Sequence, residues 1–137
     1  MITKFRCGIA GGGATGSAAL PLLMRPGVRE TVMFEKDRVE DTNLNRLHGA
    51  RYDDVSAKEP KAEIHARTVA KAGLGMSLVN LDTWTGESST WDALEARDVI
   101  FNCTDDHAGR LLLNRFARFY GIAVIDVWLA FKCHDDQ

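Results

Sequence analysis

Phe5-Arg6-Cys7-Gly8-Ile9-Ala10-Gly11-Gly12-Gly13-Ala14-Thr15-Gly16 is the stretch on which the fold turns. Its first half is apolar enough for a buried strand, and Gly11, Gly13 and Gly16 fit the pattern G-x-G-x-x-G. Residues 14–24 are small or apolar and read as a helix, which Pro26-Gly27 stops. In a strand–loop–helix of this kind the first glycine permits the tight turn and the second lets backbone approach a phosphate. The third lets the helix pack closely on the sheet. An anion in the loop meets free N–H groups and the positive end of the helix dipole. Glycines also mark plain turns, so the position between a strand and a helix is what points to a nucleotide. Pro21 falls inside the helix and is expected to kink it by removing one backbone bond.

Downstream, strands and helices alternate. Residues 31–35 and 77–81 read as strands, and 99–103 and 123–127 as strands apolar enough to be covered on both faces. Residues 60–71 form a helix with Pro60 in its first turn. Residues 90–96 form a short helix capped by Thr90, and 106–120 a long one ended by Gly121. Thr42 or Asn43 caps a short turn that carries Arg46. This alternation predicts an α/β fold: a doubly wound, mainly parallel sheet with helices on both faces. With 137 residues and no repeat or linker, the chain makes one domain, 1–137. It stops soon after a core strand, so we expect it to be a piece of something longer.

Composition narrows the class. A net charge of −2 gives no general pull toward nucleic acid or an anionic membrane. No apolar run reaches the ~18 residues of a membrane span, and the first residues lack a signal peptide's apolar core, so a cytoplasmic location is expected. Cys7, Cys103 and Cys133 are far apart and form no C-x-x-C pair. They read as small buried apolar residues, not as zinc ligands, disulfides or reactive thiols.

In an open α/β sheet, ligands bind beyond the carboxyl ends of the strands. Three polar clusters fall there. Glu35 ends the second strand, where a ribose-binding acid sits in dinucleotide folds about 20 residues beyond the loop. Asp37 is an addition that a plain NAD domain does not need, unless it is a solvated turn charge. Asn43 and Arg46, three apart, share a face of a helical turn. Arg46 can clamp phosphate oxygens, and Lys61 starts the next helix; each alone is also an ordinary surface residue. A triphosphate carries about four negative charges and needs fixed cations beside it. Thr104-Asp105-Asp106 follows a buried strand. Either acid can cap the next helix, and we expect Asp106 to cap and Asp105 to take one position on an octahedral Mg²⁺.

These residues together resemble the ThiF/MoeB/ubiquitin-activating-enzyme superfamily of adenylyltransferases. The matches run in the family's order along nearly the whole chain. They are Gly11-x-Gly13-x-x-Gly16, Leu23 to Val28, Glu35-x-Asp37-x-Val39, Asn43-Leu44-Asn45-Arg46 and Lys61-Ala62. Asp98-Val99-Ile100, Cys103-Thr104-Asp105, and Arg110 with Leu113-Asn114 complete them. The resemblance implies ATP, with Glu35 on the ribose, Asn43, Arg46 and Lys61 on the phosphates, Asp105 on magnesium, and Asp37 near metal and phosphates. It implies attack on the α-phosphorus by the C-terminal glycine carboxylate of a ubiquitin-like or sulfur-carrier protein, within a homodimer. Arg46, Lys61 and Asp105 are then the catalytic set. A carboxylate is already ionised at neutral pH, so no general base is needed.

The chain departs from the family at Ala14, Leu47 and Ala57, where the family often has glycine, glutamine and glycine. The family's arginine before the first strand and its later portion, including any zinc knuckle or thioester cysteine, have no counterpart, and Cys133 is not assigned that role. Two rival classes are an NAD(P)-binding oxidoreductase domain and a non-catalytic partner subunit that binds a ubiquitin-like protein. The first gives no task to Arg46, Lys61 and Asp105 together, and the second tends to lose the phosphate and metal residues that this chain keeps.

Overall fold

In the computed structural model, which describes residues 2–83 and 88–127, the apolar runs of the sequence form a five-stranded sheet in which every neighbouring pair is parallel. They are covered to different extents: the central ones are largely buried on both faces, but residues 123–126, expected to be covered likewise, edge the sheet with Ala123, Ile125 and Asp126 exposed. The strands are β1 (Arg6–Ala10), β2 (Glu30–Phe34), β3 (Ser77–Leu81), β4 (Val99–Asn102) and β5 (Ala123–Asp126), in the order β3-β2-β1-β4-β5. The helices are α1 (Ala14–Met24), α2 (Tyr52–Ser56), α3 (Lys61–Ala72), α4 (Ser88–Glu95) and α5 (His107–Tyr120).

Successive residues of each central strand feed opposite cores, as the period of two requires. Cys7, Ile9 and Met33 join Leu20, Leu23 and Met24 of α1, with Val69 of α3 packed against them. Ala10, Val32, Phe34 and Ile100 join Leu94 of α4 and Leu113 and Phe116 of α5. Ile9, Leu20, Met33 and Ile100 are fully buried, and each such side chain contributes about 1.5–3 kcal/mol relative to exposure. A third, smaller cluster of Val39, Leu47 and Ile64 clips the long connection between β2 and α3 onto α3.

The register decides where the polar clusters meet. Ala10 stands beside Phe34 on one side and Asn102 on the other, so β1, β2 and β4 end level. The residues that follow them, the glycine loop, Glu35 and Cys103-Thr104-Asp105, therefore crowd one sheet edge. The chain winds outward from β1 in both directions, and the crevice opens beside it at the point where strand order reverses.

Several local expectations shift. Asp106 does cap α5, accepting from Ala108 N at 3.2 Å and Gly109 N at 2.9 Å, and Gly121 ends that helix with φ 69°. Pro21 does lie inside α1, and the helix resumes past it, with Arg25 N–H donating to the Pro21 carbonyl at 3.3 Å. Thr90 is buried within the first turn of α4 and does not precede it. The short turn is a 3-10 helix, Asp41–Asn43, which Asn43 closes by accepting the Glu40 N–H at 3.1 Å. Helix α2 was not expected, because its five residues carry no apolar periodicity. It is fixed by Asp54, which accepts the Arg51 N–H at 2.7 Å and two bonds from Arg67 of α3, at 2.8 and 2.7 Å.

Candidate functional site

Each glycine of the loop has its own steric reason. Gly11 has φ +91°, a conformation that side-chain-bearing residues avoid, and a Cβ there would sit 3.0 Å from the Cys103 carbonyl. A Cβ on Gly16 would lie 1.9 Å from the Gly11 carbonyl, so the first turn of α1 rests directly on the loop. Around Gly13 nothing lies within 4 Å of a Cβ position, and the space there is the mouth of a cavity of about 410 Å³. Helix α1 starts with no side-chain cap and no acid in its first turn, whereas α5 is capped by its own aspartate. The positive end of α1 is thus left for an anion from outside the chain. Gly13, Ala14 and Thr15 line that end of the cavity.

Glu35 is buried beneath the loop. Its Oε2 accepts the Gly12 N–H at 3.0 Å and its Oε1 the Asp37 N–H at 2.8 Å. Burial pushes its carboxyl above the usual carboxylate range, against the pull of the Asp37 N–H and the Lys61 charge. Each oxygen keeps a lone pair for a further donor. Asn80 of β3 steadies the turn, donating to the Glu35 carbonyl at 2.9 Å.

Lys61 is delivered by backbone pairing. Val39 N–H donates to the Glu59 carbonyl and Lys61 N–H to the Asp37 carbonyl, both at 2.9 Å, with a bridge between Arg38 and Pro60. This seam brings the start of α3 to the end of β2, and the Lys61 Nζ lies 3.5 Å from Asp37 Oδ2. Arg46 follows the 3-10 turn, its N–H bonded to the Asn43 carbonyl at 3.0 Å, and buried Leu47 anchors the segment below it. One guanidinium nitrogen donates to the Thr42 carbonyl at 2.5 Å and to Asn45 Oδ1 at 3.1 Å, while the residue as a whole is exposed. Asn43 spends its carboxamide oxygen on Glu40, which leaves its NH₂ group as a donor.

Asp105 lies past β4, exposed and in no ion pair among the described residues. The same cavity is lined by Glu35, Asp37, Asn43, Arg46, Lys61 and Asp105, so residues spread from 35 to 105 meet at one place. Gly11 lines a smaller neighbouring cavity of about 280 Å³ that shares Glu35, Asp37, Thr104 and Asp105, and Gly16 supports the loop from behind. Among the described residues no three His, Cys, Asp or Glu side chains cluster as metal ligands. A divalent ion on Asp105 would therefore draw its other oxygens from ligand and water, which is the usual habit of Mg²⁺. Cys7 and Cys103 are buried, and burial pushes both thiols up, away from reactivity. Cys133 lies outside the described residues.

Three residues of the site had no role assigned from the sequence. Thr15 donates its hydroxyl to the Cys103 carbonyl at 3.4 Å, tying α1 to the end of β4. Arg110 lines the cavity, paired with Asp126 and donating to the Val127 carbonyl at 3.0 Å. His65 is buried under the loop, its Nε2 2.8 Å from the Gly12 carbonyl. The available signal for His65 was its spacing: on a helix it stands four residues after Lys61 and so on the same face.

Residues 1–134 match the family model described as "ThiF family". The chain belongs to the ThiF family. Among curated relatives, the SAMP-activating enzyme E1 of Haloferax volcanii is 32% identical over 85% of this ThiF-family chain, which spans 43% of that protein. The sulfur carrier protein ThiS adenylyltransferase of Bacillus subtilis is 28% identical over 88% of the chain, which spans 36% of it. The chain thus spans less than half the length of these relatives. Among solved structures, the E. coli tRNA N6-threonylcarbamoyladenosine dehydratase TcdA in complex with ATP superposes with a TM-score of 0.82. It is 21% identical, with 90% of this chain and 51% of that one covered, a likeness of fold.

Proposed function

We propose that this chain binds ATP as its magnesium complex and serves as the adenylating domain of an enzyme that activates the C-terminal glycine carboxylate of a ubiquitin-like or sulfur-carrier protein. The observation that carries this reading is that Arg46, Lys61 and Asp105 line one cavity at the uncapped start of α1. The names of the curated relatives support the substrate class, and the ATP complex of TcdA supports the nucleotide.

In this reading Gly13 and Ala14 offer backbone N–H groups to the phosphates, and Glu35 accepts from the ribose hydroxyls. Lys61 and Arg46 offset charge on the phosphoryl oxygens, with Asn43 donating its NH₂ group and Asp37 close to metal and phosphates. Asp105 would hold magnesium, which supplies further charge neutralisation on the departing pyrophosphate. The carrier's carboxylate oxygen forms a bond to the α-phosphorus as the bond from that phosphorus to the bridging oxygen breaks. Pyrophosphate leaves and an acyl-adenylate remains. No proton moves, so alignment and electrostatics do the catalysis. The reading carries a cytoplasmic location, where ATP is available, and a homodimer, as the family resemblance implies. Among the described residues no helix is long and apolar enough to cross a membrane.

Thermal shift with MgATP against NAD tests the nucleotide. Stabilisation by MgATP and not by NAD is expected, and the reverse would return the chain to the redox class. Exchange of labelled pyrophosphate into ATP by the full-length protein, dependent on a carrier ending in glycine, tests the reaction. Carrier-independent behaviour of a folded, ATP-binding protein would remove the carrier from the proposal.

A further inference from the structure

The Gly12 backbone is held from both sides. Its N–H donates to Glu35 Oε2 at 3.0 Å, and its carbonyl receives His65 Nε2 at 2.8 Å. His65 comes from α3, 53 positions away, and is 1% exposed. A Cβ on Gly12 would lie 2.6 Å from that same nitrogen, so the loop is seated on the imidazole with no room for a side chain between. A carbonyl only accepts, so Nε2 carries the proton and the ring is the Nε2–H tautomer. Nδ1 is then a bare acceptor, and it is buried without a partner among the described residues.

Among the described residues no peptide bond is cis, and in a trans peptide the carbonyl and the following N–H point in opposite directions. A Gly12 carbonyl held by His65 turns the Gly13 N–H away from that imidazole, and Gly13 lines the cavity.

We propose that His65 is a positioning residue that holds the Gly12–Gly13 peptide in the orientation that presents its N–H to the nucleotide's phosphate. The inference rests on the ATP reading above and adds to it a residue that never touches the ligand. The imidazole does no proton transfer; it sets the direction of one dipole in the anion cradle before the anion arrives, so that binding costs no reorganisation. Burial, which holds His65 down to about 4, keeps the ring neutral at working pH and the tautomer fixed.

The test compares the wild type with His65→Leu, His65→Asn and His65→Gln, each confirmed folded by its thermal transition, titrated with MgATP and separately with adenosine. Gln carries its NH₂ as many bonds from Cβ as the imidazole carries Nε2; Asn falls one bond short and Leu has no donor. A loss of at least tenfold in MgATP affinity for Leu and Asn is expected, with recovery to within about threefold for Gln and adenosine affinity unmoved throughout. A residue that merely filled space would weaken both ligands together, or would tolerate Leu best, and either result overturns the proposal. Folded Leu and Asn variants that bind MgATP like the wild type would sink His65's role and leave the ATP site standing. A wild type that binds no MgATP would sink both. Should the variants not fold, long-range ¹⁵N spectra of the wild-type histidine decide: a protonated Nε2 is expected, and a protonated Nδ1 could not donate to Gly12 and ends the proposal.

Discussion

Exchanging His65 for glutamine should change how folding stability depends on pH. The wild-type imidazole is 1% exposed, and burial lowers its pKa from the ordinary 6.5 to about 4. The unfolded chain takes up this proton near 6.5 and the folded chain only near 4, so between those values the unfolded state binds more protons. Stability is therefore complete above 6.5 and is lost as pH falls toward 4. The gap of roughly 2.5 units, at about 1.4 kcal/mol each, gives a loss of about 3 kcal/mol by pH 4. Glu35 opposes this, because burial raises its carboxyl: its contribution is present at low pH and lost as pH rises through its folded value. Asp54, held below the usual range by Arg67, loses its contribution on further acidification. Both terms remain in His65→Gln, so the difference between the two proteins isolates the imidazole. Urea denaturation followed by circular dichroism at pH 7, 6, 5 and 4 should show the wild type losing about 3 kcal/mol more than the variant. Parallel profiles would refute a neutral, buried His65.

Gly16→Ala drives a Cβ to 1.9 Å from the Gly11 carbonyl, so the loop must shift. It should cost about 1–3 kcal/mol in chemical denaturation and remove measurable MgATP binding. Lys61→Ala removes a charge beside the phosphates and should weaken MgATP binding about 10- to 150-fold by calorimetry, from roughly 1.5–3 kcal/mol for a charged hydrogen bond. Its thermal midpoint should stay near the wild type's, since among the described residues Lys61's ion pair is to the exposed Asp37. Arg67→Leu strips two hydrogen bonds from buried Asp54 and one, at 2.8 Å, from the Gly49 carbonyl. It should destabilise the protein by about 1–3 kcal/mol, seen as a lower urea midpoint, with hydrogen exchange accelerating first across residues 41–57.

What the sequence made legible follows from what is local. The glycine loop, the helix from Ala14 to Met24, the strand from Ser77 to Leu81 and the cap at Asp106 rest on turns, breakers and periodicity within a few residues. The meeting of Asp105 with Lys61 at one cavity rests on the level ends of β1, β2 and β4, which alternation of strands and helices already implies. Helix α2 was illegible because its reason to exist, Asp54 accepting from Arg67, lies on another helix. The grip of His65 on Gly12 depends on how deep α3 sits against the loop, a packing distance that no spacing rule encodes.

The most direct measurement replaces magnesium with manganese and reads which backbone amides the paramagnetic ion broadens when MnATP is added. Strong broadening is expected together at Gly13, Arg46, Lys61 and Asp105, and none at Phe119, which is 82% exposed at the far end of α5. Broadening that left any of those four sharp, or that centred elsewhere on the surface, would contradict a single triphosphate site built from residues the chain keeps so far apart.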